Sequence, residues 1–260
     1  MADTDRPRCR LFVAAPLAAG ERMVLAKDQS HYLAHVLRAQ AGDTVLLFNG
    51  SDGEWLARVD ALAKSGATLA TEAQTRPQAP EPDLWLLAAP IKRDRIDLVA
   101  EKAAELGVAR LVPVFTRRTV MSRVNTERLA AHMVEAAEQC ERLTVPELAP
   151  PQPLDKALAA WPDGRVLLFL DETGSGPPLA EVLAGLGDGP AAVLVGPEGG
   201  FAPEERRLLG SLPFARPVGL GPRILRAETA AIAALALWQA VRGDWRQAPR
   251  QGHNPDSSPA

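Results

Sequence analysis

The stretch Val193-Leu-Val-Gly-Pro-Glu-Gly-Gly-Phe201 runs from an apolar segment directly into a glycine-rich turn. The apolar segment, Ala191–Val195, is predicted to be a parallel strand buried on both faces, and a helix is expected to open at Pro203. Glycines let the backbone approach a ligand closely, and ligands of open α/β sheets bind at the carboxyl ends of strands. The stretch therefore predicts an α/β sheet with a ligand-binding turn after this strand.

A second stretch, Leu220-Gly-Pro-Arg-Ile-Leu-Arg-Ala-Glu-Thr229, joins a short predicted strand to a long terminal helix near 227–241. The side chain of Glu228 or Thr229 could satisfy free amides at that helix start. Neither stretch has the glycine spacing of a dinucleotide-binding or P-loop motif, and Glu198 and Glu228 would repel a pyrophosphate. A ligand with a positive centre and a flat heterocycle, such as S-adenosylmethionine, fits better. A turn without any ligand is the alternative.

Strand and helix patterns alternate from Asp83 onward, which predicts a sheet covered by helices on both faces. A proline-rich connector, 76–82, cannot continue a strand or helix and marks the boundary before it. We therefore predict one α/β domain over residues 83–246. Its predicted strands are 84–89, 110–115, 166–170, 191–195 and a short one near 216–219.

The segment before the connector has a different pattern, with short alternating strands separated by turn signals such as Asn49-Gly50. A helix is expected at 29–37, with Ser30 as its cap. We predict a small β-rich domain, a barrel, over residues 1–76. Its predicted strands are 10–13, 44–48 and 54–59.

The composition of the 260-residue chain is that of a globular protein, because 47% of its residues are hydrophobic. The net charge of −3 argues against non-specific nucleic-acid binding, although basic clusters such as Arg117-Arg118 leave room for a specific contact. Two distant cysteines, Cys9 and Cys140, and four histidines form no zinc-site pattern, so no metal is expected.

Targeting features are missing from the sequence as well. No run of about 18 apolar residues is present, and the polar, acidic start does not resemble a signal peptide. We therefore expect a cytoplasmic protein that does not enter a membrane. The polar segment 247–260, rich in proline, glycine and serine, has no periodicity and is predicted to be a disordered tail.

Together with several blocks elsewhere in the chain, the two glycine-containing stretches resemble the signature of the SPOUT methyltransferases. More narrowly, the chain resembles the ribosomal RNA small subunit methyltransferase E family, from about Arg10 to Trp238. One departure is Cys140-Glu141, where the family has a small residue and a glycine before the arginine that is retained here as Arg142. The further blocks that carry the resemblance are Arg10-Leu-Phe-Val13, His35-Val-Leu-Arg38 with Gly42-Asp43, Phe48-Asn-Gly50, Lys92-Arg-Asp-Arg95, Glu101-Lys102, Glu105-Leu-Gly-Val108 and Glu135-Ala-Ala-Glu-Gln139.

This resemblance implies a C-terminal SPOUT α/β domain with a trefoil knot, preceded by a PUA-like β-barrel domain that binds RNA. It implies S-adenosyl-L-methionine as the cofactor, no metal, and a homodimer. The implied substrate is 16S ribosomal RNA of the 30S subunit, methylated on N3 of one uridine (position 1498). The implied cofactor-binding residues are Leu170, Gly196, Pro197, Glu198, Gly199, Gly200, Leu220, Gly221, Ile224, Leu225, Glu228 and Thr229.

Two side chains of these loops are candidates for catalysis. Arg226 could stabilise the uridine anion that develops when N3 loses its proton. Glu198 could act as a base, orient the cofactor, or only cap the turn. RNA positioning would fall to basic residues of both domains, for each of which a surface salt bridge is the alternative; they are Arg10, His35, Arg38, Lys92, Arg95 and Lys102.

Two other functions remain open from the sequence. The first is a SPOUT enzyme that acts on another RNA, such as transfer RNA. The second is a non-catalytic RNA-binding protein of ribosome assembly. The two intact cofactor loops argue against this second function, because a protein without catalysis has no need of them.

Overall fold

The structure, a computed structural model, describes residues 6–63, 65–174 and 176–247. The chain forms two compact units. As far as they are described, the first comprises Met1–Pro80, Ala100–Glu105 and Asn125–Glu147, and the second comprises Glu81–Val99, Leu106–Val124 and Leu148–Ala260. The domain limits 1–76 and 83–246 stay predictions. From residue 248 onward, the predicted tail lies outside the described residues.

The first unit is built on a sheet whose strands are β1 (Arg10–Phe12), β2 (Arg22–Val24), β3 (Thr44–Phe48), β4 (Glu54–Ala63) and β5 (Gly66–Arg76). Their order is β1-β3-β4-β5-β2, with β1 parallel to β3 and the other neighbours antiparallel. Val45, Leu47 and Leu69 are fully buried in the hydrophobic core of the first unit. Val45 and Leu47 share one face of β3, because alternate residues of a strand point to the same side. The sequence did not predict β5, whose apolar positions are mostly small alanines.

The helical segment expected at 29–37 consists of α1 (Lys27–His31) and a π-helical turn (Tyr32–Val36). The prediction that Ser30 caps it is wrong, because Ser30 is buried inside α1. Its hydroxyl donates to the carbonyl of Leu25 at 3.2 Å and accepts from the amide of Ala67 at 3.0 Å. Ser30 thus fastens the helix to β5.

The second sheet contains β6 (Leu84–Ala88), β7 (Arg110–Phe115), β8 (Glu147–Leu148), β9 (Gln152–Pro153), β10 (Val166–Leu170), β11 (Ala191–Val195) and β12 (Ala215–Val218). Their order is β12-β10-β11-β6-β7-β8, with β9 beside β7. The pairs from β12 to β7 are all parallel. Every residue of β11 is buried, as expected for a strand covered on both faces.

The helices that accompany this topology are α2 (Arg93–Glu105), α3 (Thr126–Gln139), α4 (Leu154–Ala159), α5 (Leu179–Ala184), α6 (Pro203–Ser211) and α7 (Ala227–Val241). α2 ends before Gly107, whose φ of +72° only glycine adopts without cost. α3 begins after Asn125, whose side chain accepts from the amide of Arg128 at 3.0 Å. α4 has six residues, too few for a periodic pattern, and the sequence did not predict it.

α7 packs against β11 and α5 and belongs to the core of the second unit. Leu235 and Trp238 of this helix are buried within the chain. Gln239 is also fully buried, and its amide donates to the carbonyl of Leu106 at 2.7 Å. None of the helices in the described part of the chain has the length and apolar character that a bilayer crossing requires.

Candidate functional site

A cleft of about 690 Å³ opens where three neighbouring parallel strands end. The loops after β10, β11 and β12 converge there. Ligands of open α/β sheets bind at this position, the carboxyl ends of the strands. We name these loops the acidic loop (171–174), the glycine turn (Gly196 to Gly200) and the terminal loop (219–226). The lining residues are Arg118, Leu170 to Gly174, Val195 to Gly200, Val218 to Ala227, and Ala230.

The glycine turn is closed by a hydrogen bond from the amide of Gly200 to the carbonyl of Pro197 at 2.9 Å. Gly200 has a φ of +66°, which side-chain-bearing residues rarely adopt. A Cβ on Gly196 would lie 3.2 Å from the ring of Phe201, so the turn is packed tightly over that aromatic side chain. The turn is therefore shaped by its neighbours as well as by its own sequence.

Glu172 lies in the acidic loop and stabilises the glycine turn; the sequence did not predict this role. Its carboxylate accepts from the amide of Phe201 at 3.3 Å and pairs with Arg206 of α6 at 3.1 Å. Arg206 also donates to the carbonyl of Phe201 at 3.0 Å. A Cβ added at Gly200 would collide with this carboxylate, so a side chain there would have to displace Glu172. No local sequence pattern signals this clamp, since its members are about 30 residues apart.

A second contact on the glycine turn comes from Arg118, in the loop after β7. Its guanidinium donates through Nη1 to the carbonyl of Gly199 at 2.7 Å, and the residue is exposed. The neighbouring Arg117 donates its amide to the buried carboxylate of Glu205 at 2.8 Å, and Glu205 also accepts from the amide of Ala202. These hydrogen bonds connect the loop after β7 to the start of α6, beside the cleft.

The two candidate catalytic residues, Arg226 and Glu198, both line this cleft. Both side chains are exposed, and within the described residues neither has a hydrogen-bond partner. Arg226 stands at the N-cap of α7, with its carbonyl accepting from the amide of Ala230 at 2.8 Å. The two groups therefore face a common space with their charged ends available to a ligand.

Most of the predicted cofactor residues line the cleft, but Glu228 and Thr229 do not. Glu228 is buried, and its carboxylate accepts from the guanidinium of Arg95 at 2.9 Å. Glu228 therefore does not cap α7 and does not line the cleft. Its ion-pair partner, Arg95, is one of the residues predicted for RNA contact. Thr229 is exposed on the first turn of α7. The predicted residues that do line the cleft are Leu170, Gly196, Pro197, Glu198, Gly199, Gly200, Leu220, Gly221, Ile224 and Leu225.

Arg10, also predicted for RNA contact, is buried in the first unit, with 7% of its side chain exposed. Its guanidinium stacks 3.6 Å from the ring centre of Phe48 and donates to Glu54 at 2.6 Å. Further hydrogen bonds reach the carbonyls of Ala137 and Arg142 at 2.8 and 2.6 Å. Burial lowers the pKa of Arg10, and the bonds to Glu54 oppose that shift. This side chain connects β1 to the last turn of α3 and to the segment that follows it, and it presents little surface to a phosphate.

The other predicted RNA residues lie on different parts of the surface. His35 and Arg38 are exposed in the first unit, and Lys92 is exposed in the second, before α2. His35 lies on the π-helical turn, a feature that is frequent at functional sites, with its ring 4.6 Å from that of His31. Lys102 donates to Glu101 and Glu105 at 2.7 Å each, and these bonds raise its pKa.

The cleft suits a ligand of the size and chemistry of S-adenosylmethionine. Its volume lies within the range of about 300 to 1,000 Å³ that small-molecule sites occupy. Apolar side chains such as Leu170, Leu220 and Leu225 can pack on a heterocycle, the glycine turn offers backbone groups, and Glu198 offers a negative charge to a cation. No group of three or more metal-ligating side chains was found in the described residues.

Comparison with known proteins gives two family matches along the chain. Residues 78–239 match the model of an RNA methyltransferase domain, and residues 25–72 match that of an RNA methyltransferase PUA domain. The first match contains the cleft and all three of its loops.

Similar curated proteins carry one common description. A ribosomal RNA small subunit methyltransferase E from Rickettsia conorii is 34% identical over 229 residues, covering 87% of this chain and 93% of that protein. The protein of the same name from Synechocystis is 33% identical and covers 87% of this chain and 76% of its own.

Two solved structures extend the similarity to the fold. The ribosomal RNA small subunit methyltransferase E from Neisseria gonorrhoeae, bound to S-adenosyl methionine, has a TM-score of 0.82 at 27% identity and covers 91% of this chain and 99% of its own. A putative methyltransferase from Legionella pneumophila, in complex with the same cofactor, has a TM-score of 0.79 at 30% identity, with coverages of 90% and 98%.

Proposed function

Because the chain belongs to the ribosomal RNA small subunit methyltransferase E family, we propose that it methylates N3 of one uridine in 16S ribosomal RNA of the 30S subunit. Membership confirms the predicted family, the fold class with its PUA-like first domain, the S-adenosylmethionine cofactor, and the activity of an RNA methyltransferase. The trefoil knot, the homodimer and a cytoplasmic location stay part of the proposal.

The observation that carries the proposal is the placement of Glu198 and Arg226 on one cleft, with both charged groups unpaired within the described residues. S-adenosylmethionine supplies a methyl group on a cationic sulfur, a leaving group that needs no covalent help from the protein. The task of the protein is then to align the uridine with that methyl group, since alignment can account for most of the rate.

Uridine N3 must lose its proton before or as it accepts the methyl group. Arg226, held at the start of a rigid fifteen-residue helix, can stabilise the negative charge that develops on the base. Glu198 on the opposite loop can accept the proton or orient the cofactor through its positive groups. The base must leave its stacked surroundings to reach the cleft, as in other enzymes that modify bases.

In the proposed cofactor site, the backbone of the glycine turn and of Leu170, Leu220 and Leu225 surrounds the adenosine. Glu228 acts through Arg95 as a support for the terminal helix. His35, Arg38 and Lys92 are the exposed members of the proposed RNA-binding set, whereas Arg10 supports the fold of the first unit.

The proposal is tested by comparing ribosomal RNA from a wild-type strain and a strain that lacks the gene. We expect one 3-methyluridine of 16S RNA to disappear and to return when the gene is restored. Purified enzyme is then incubated with 30S subunits or with transfer RNA and labelled cofactor. An unchanged nucleoside profile, or methylation of transfer RNA alone, would contradict the proposed substrate.

A further inference from the structure

The mouth of the cleft carries three exposed arginines, Arg118, Arg223 and Arg226. Within the described residues none of them forms an ion pair, and the one hydrogen bond that their guanidinium groups make runs from Arg118 to a neutral carbonyl. Of the three, Arg226 is the one with a role in the proposed chemistry on the base. Arg118 and Arg223 are therefore charges at the site that the chemistry on the base leaves without a role.

The acidic residues of the same cleft form no ion pair with these arginines in the described part of the chain. Asp171 is buried and accepts from the hydroxyl of Thr173 at 2.8 Å, while Glu172 pairs with Arg206. Glu198 remains as the exposed carboxylate of the lining without an ionic partner in the described residues. Among the exposed charged groups of the lining, those without an ion-pair partner in the described residues are thus three arginines and one glutamate.

Arg118 is connected to the cofactor loop in a way that Arg223 is not. It reaches the carbonyl of Gly199 through Nη1, and its Cβ and Cδ lie 3.5 and 3.6 Å from where a Cβ of Gly199 would stand. A guanidinium carries five N–H donors in a planar fork. Nε and Nη2 of Arg118 can thus bind a second group while Nη1 keeps the turn in place.

We infer that Arg118 and Arg223 bind phosphates of the RNA that flank the methylated base, and that Arg118 at the same time holds the glycine turn in its cofactor-binding shape. A base that enters the cleft brings its adjoining phosphates to the mouth, where guanidinium groups can bind them bidentately. Arg118 is then a positioning residue for the cofactor and a binding residue for the RNA. This inference rests on the proposed function.

The test uses the full-length variants Arg118→Ala and Arg223→Ala, with Arg207→Ala as the matched control. Arg207 is an arginine of α6 whose side chain is 72% exposed and that lies outside the cleft lining. Binding to 16S ribosomal RNA is measured at several salt concentrations. Each cleft variant should reduce the slope of log K against log salt by about 0.7, the value for one lost phosphate contact on a single strand. The control should keep the wild-type slope.

Cofactor affinity, measured by calorimetry without RNA, separates the two arginines. Arg118→Ala should bind S-adenosylmethionine roughly 3- to 10-fold more weakly, the effect of one hydrogen bond, whereas Arg223→Ala should equal the wild type. Arg118→Gln, which is neutral but can still donate to Gly199, should recover the cofactor affinity and keep the reduced slope. An unchanged slope in either cleft variant, or unchanged cofactor affinity in Arg118→Ala, would overturn the inference.

The inference can fail separately from the proposed function. If the wild type methylates 16S RNA but the salt slopes of both variants equal its own, the arginine roles are wrong and the function stands. If the wild type methylates transfer RNA instead, the proposed substrate is wrong, and the same slopes measured on transfer RNA decide the roles of Arg118 and Arg223.

Discussion

The guanidinium of Arg95 donates to the carboxylate of Glu228 at 2.9 Å, which joins α2 to the first turn of the terminal helix. The Glu228 side chain is 7% exposed and that of Arg95 is 41% exposed. Because Arg226 stands two residues before Glu228, this ion pair fixes the start of the helix from which the candidate catalytic guanidinium projects. From sequence, Arg95 was predicted to bind RNA and Glu228 to bind the cofactor; in the structure they form one ion pair that stabilises the start of α7.

Arg95→Ala should destabilise the protein, because it leaves a buried carboxylate without its partner. We expect a loss of about 1 to 3 kcal/mol in the free energy of unfolding, measured by chemical denaturation. Arg207→Ala, the exposed control, should change that free energy by less than about 0.5 kcal/mol. Wild-type stability combined with weaker RNA binding in Arg95→Ala would instead favour the RNA contact predicted from sequence.

Arg10→Ala should destabilise the first unit strongly, by about 3 to 5 kcal/mol, because Glu54 would remain buried and unpaired. Arg10→Lys should not restore stability, since one ammonium cannot reach a carboxylate and two carbonyls in the same geometry. The measurement is chemical denaturation followed by tryptophan fluorescence, with Trp55 in the same sheet as a reporter. Should Arg10→Ala fold with wild-type stability and lose only RNA affinity, the structural role would be refuted.

Arg226→Ala should lower kcat by about 10²- to 10³-fold, as expected for the loss of one preorganised group that stabilises negative charge. The affinity for S-adenosylmethionine, measured by calorimetry, should change by no more than about threefold if the residue acts mainly in the transition state. An equal loss of both would make Arg226 a cofactor-binding or structural residue.

Glu198→Gln distinguishes the roles that the sequence left open for this carboxylate. As a base, Glu198 would be needed for kcat, and the substitution would lower kcat without weakening cofactor binding. As an orienting group for the cationic cofactor, it would be needed for affinity instead. If neither quantity changes, Glu198 only shapes the turn.

The two cysteines should differ in reactivity. Burial, with a smaller contribution from the nearby Glu138 carboxylate, raises the pKa of Cys9 to about 12, so its thiolate is scarce at pH 8. Cys140 is exposed. A maleimide or iodoacetamide reagent should therefore label the folded protein at Cys140, and Cys140→Ser should abolish labelling until denaturant is added. Rapid labelling of Cys9 in the folded protein would contradict the raised pKa of its thiol.

The amino-acid sequence was sufficient to predict the parallel strands of the second unit, the two glycine-containing loops, the family and the cofactor. These properties reside in contiguous patterns: apolar runs such as Ala191–Val195 predict buried strands, and Gly196 to Gly200 is constrained by the conformations that glycine permits. The three loops converge because parallel strands end at one edge of a sheet.

Tertiary structure alone decided which charged side chains face the ligand and which face each other. Arg95 and Glu228 are 133 positions apart, and Arg10 meets the carbonyl of Arg142 across 132 positions. Charged residues look alike in a sequence whether they bind RNA or a distant partner, because their periodicity reports only which face of an element they occupy. Burial and hydrogen bonds across such separations exist only after the chain has folded, and they give Arg10 and Arg95 structural partners that the sequence did not indicate.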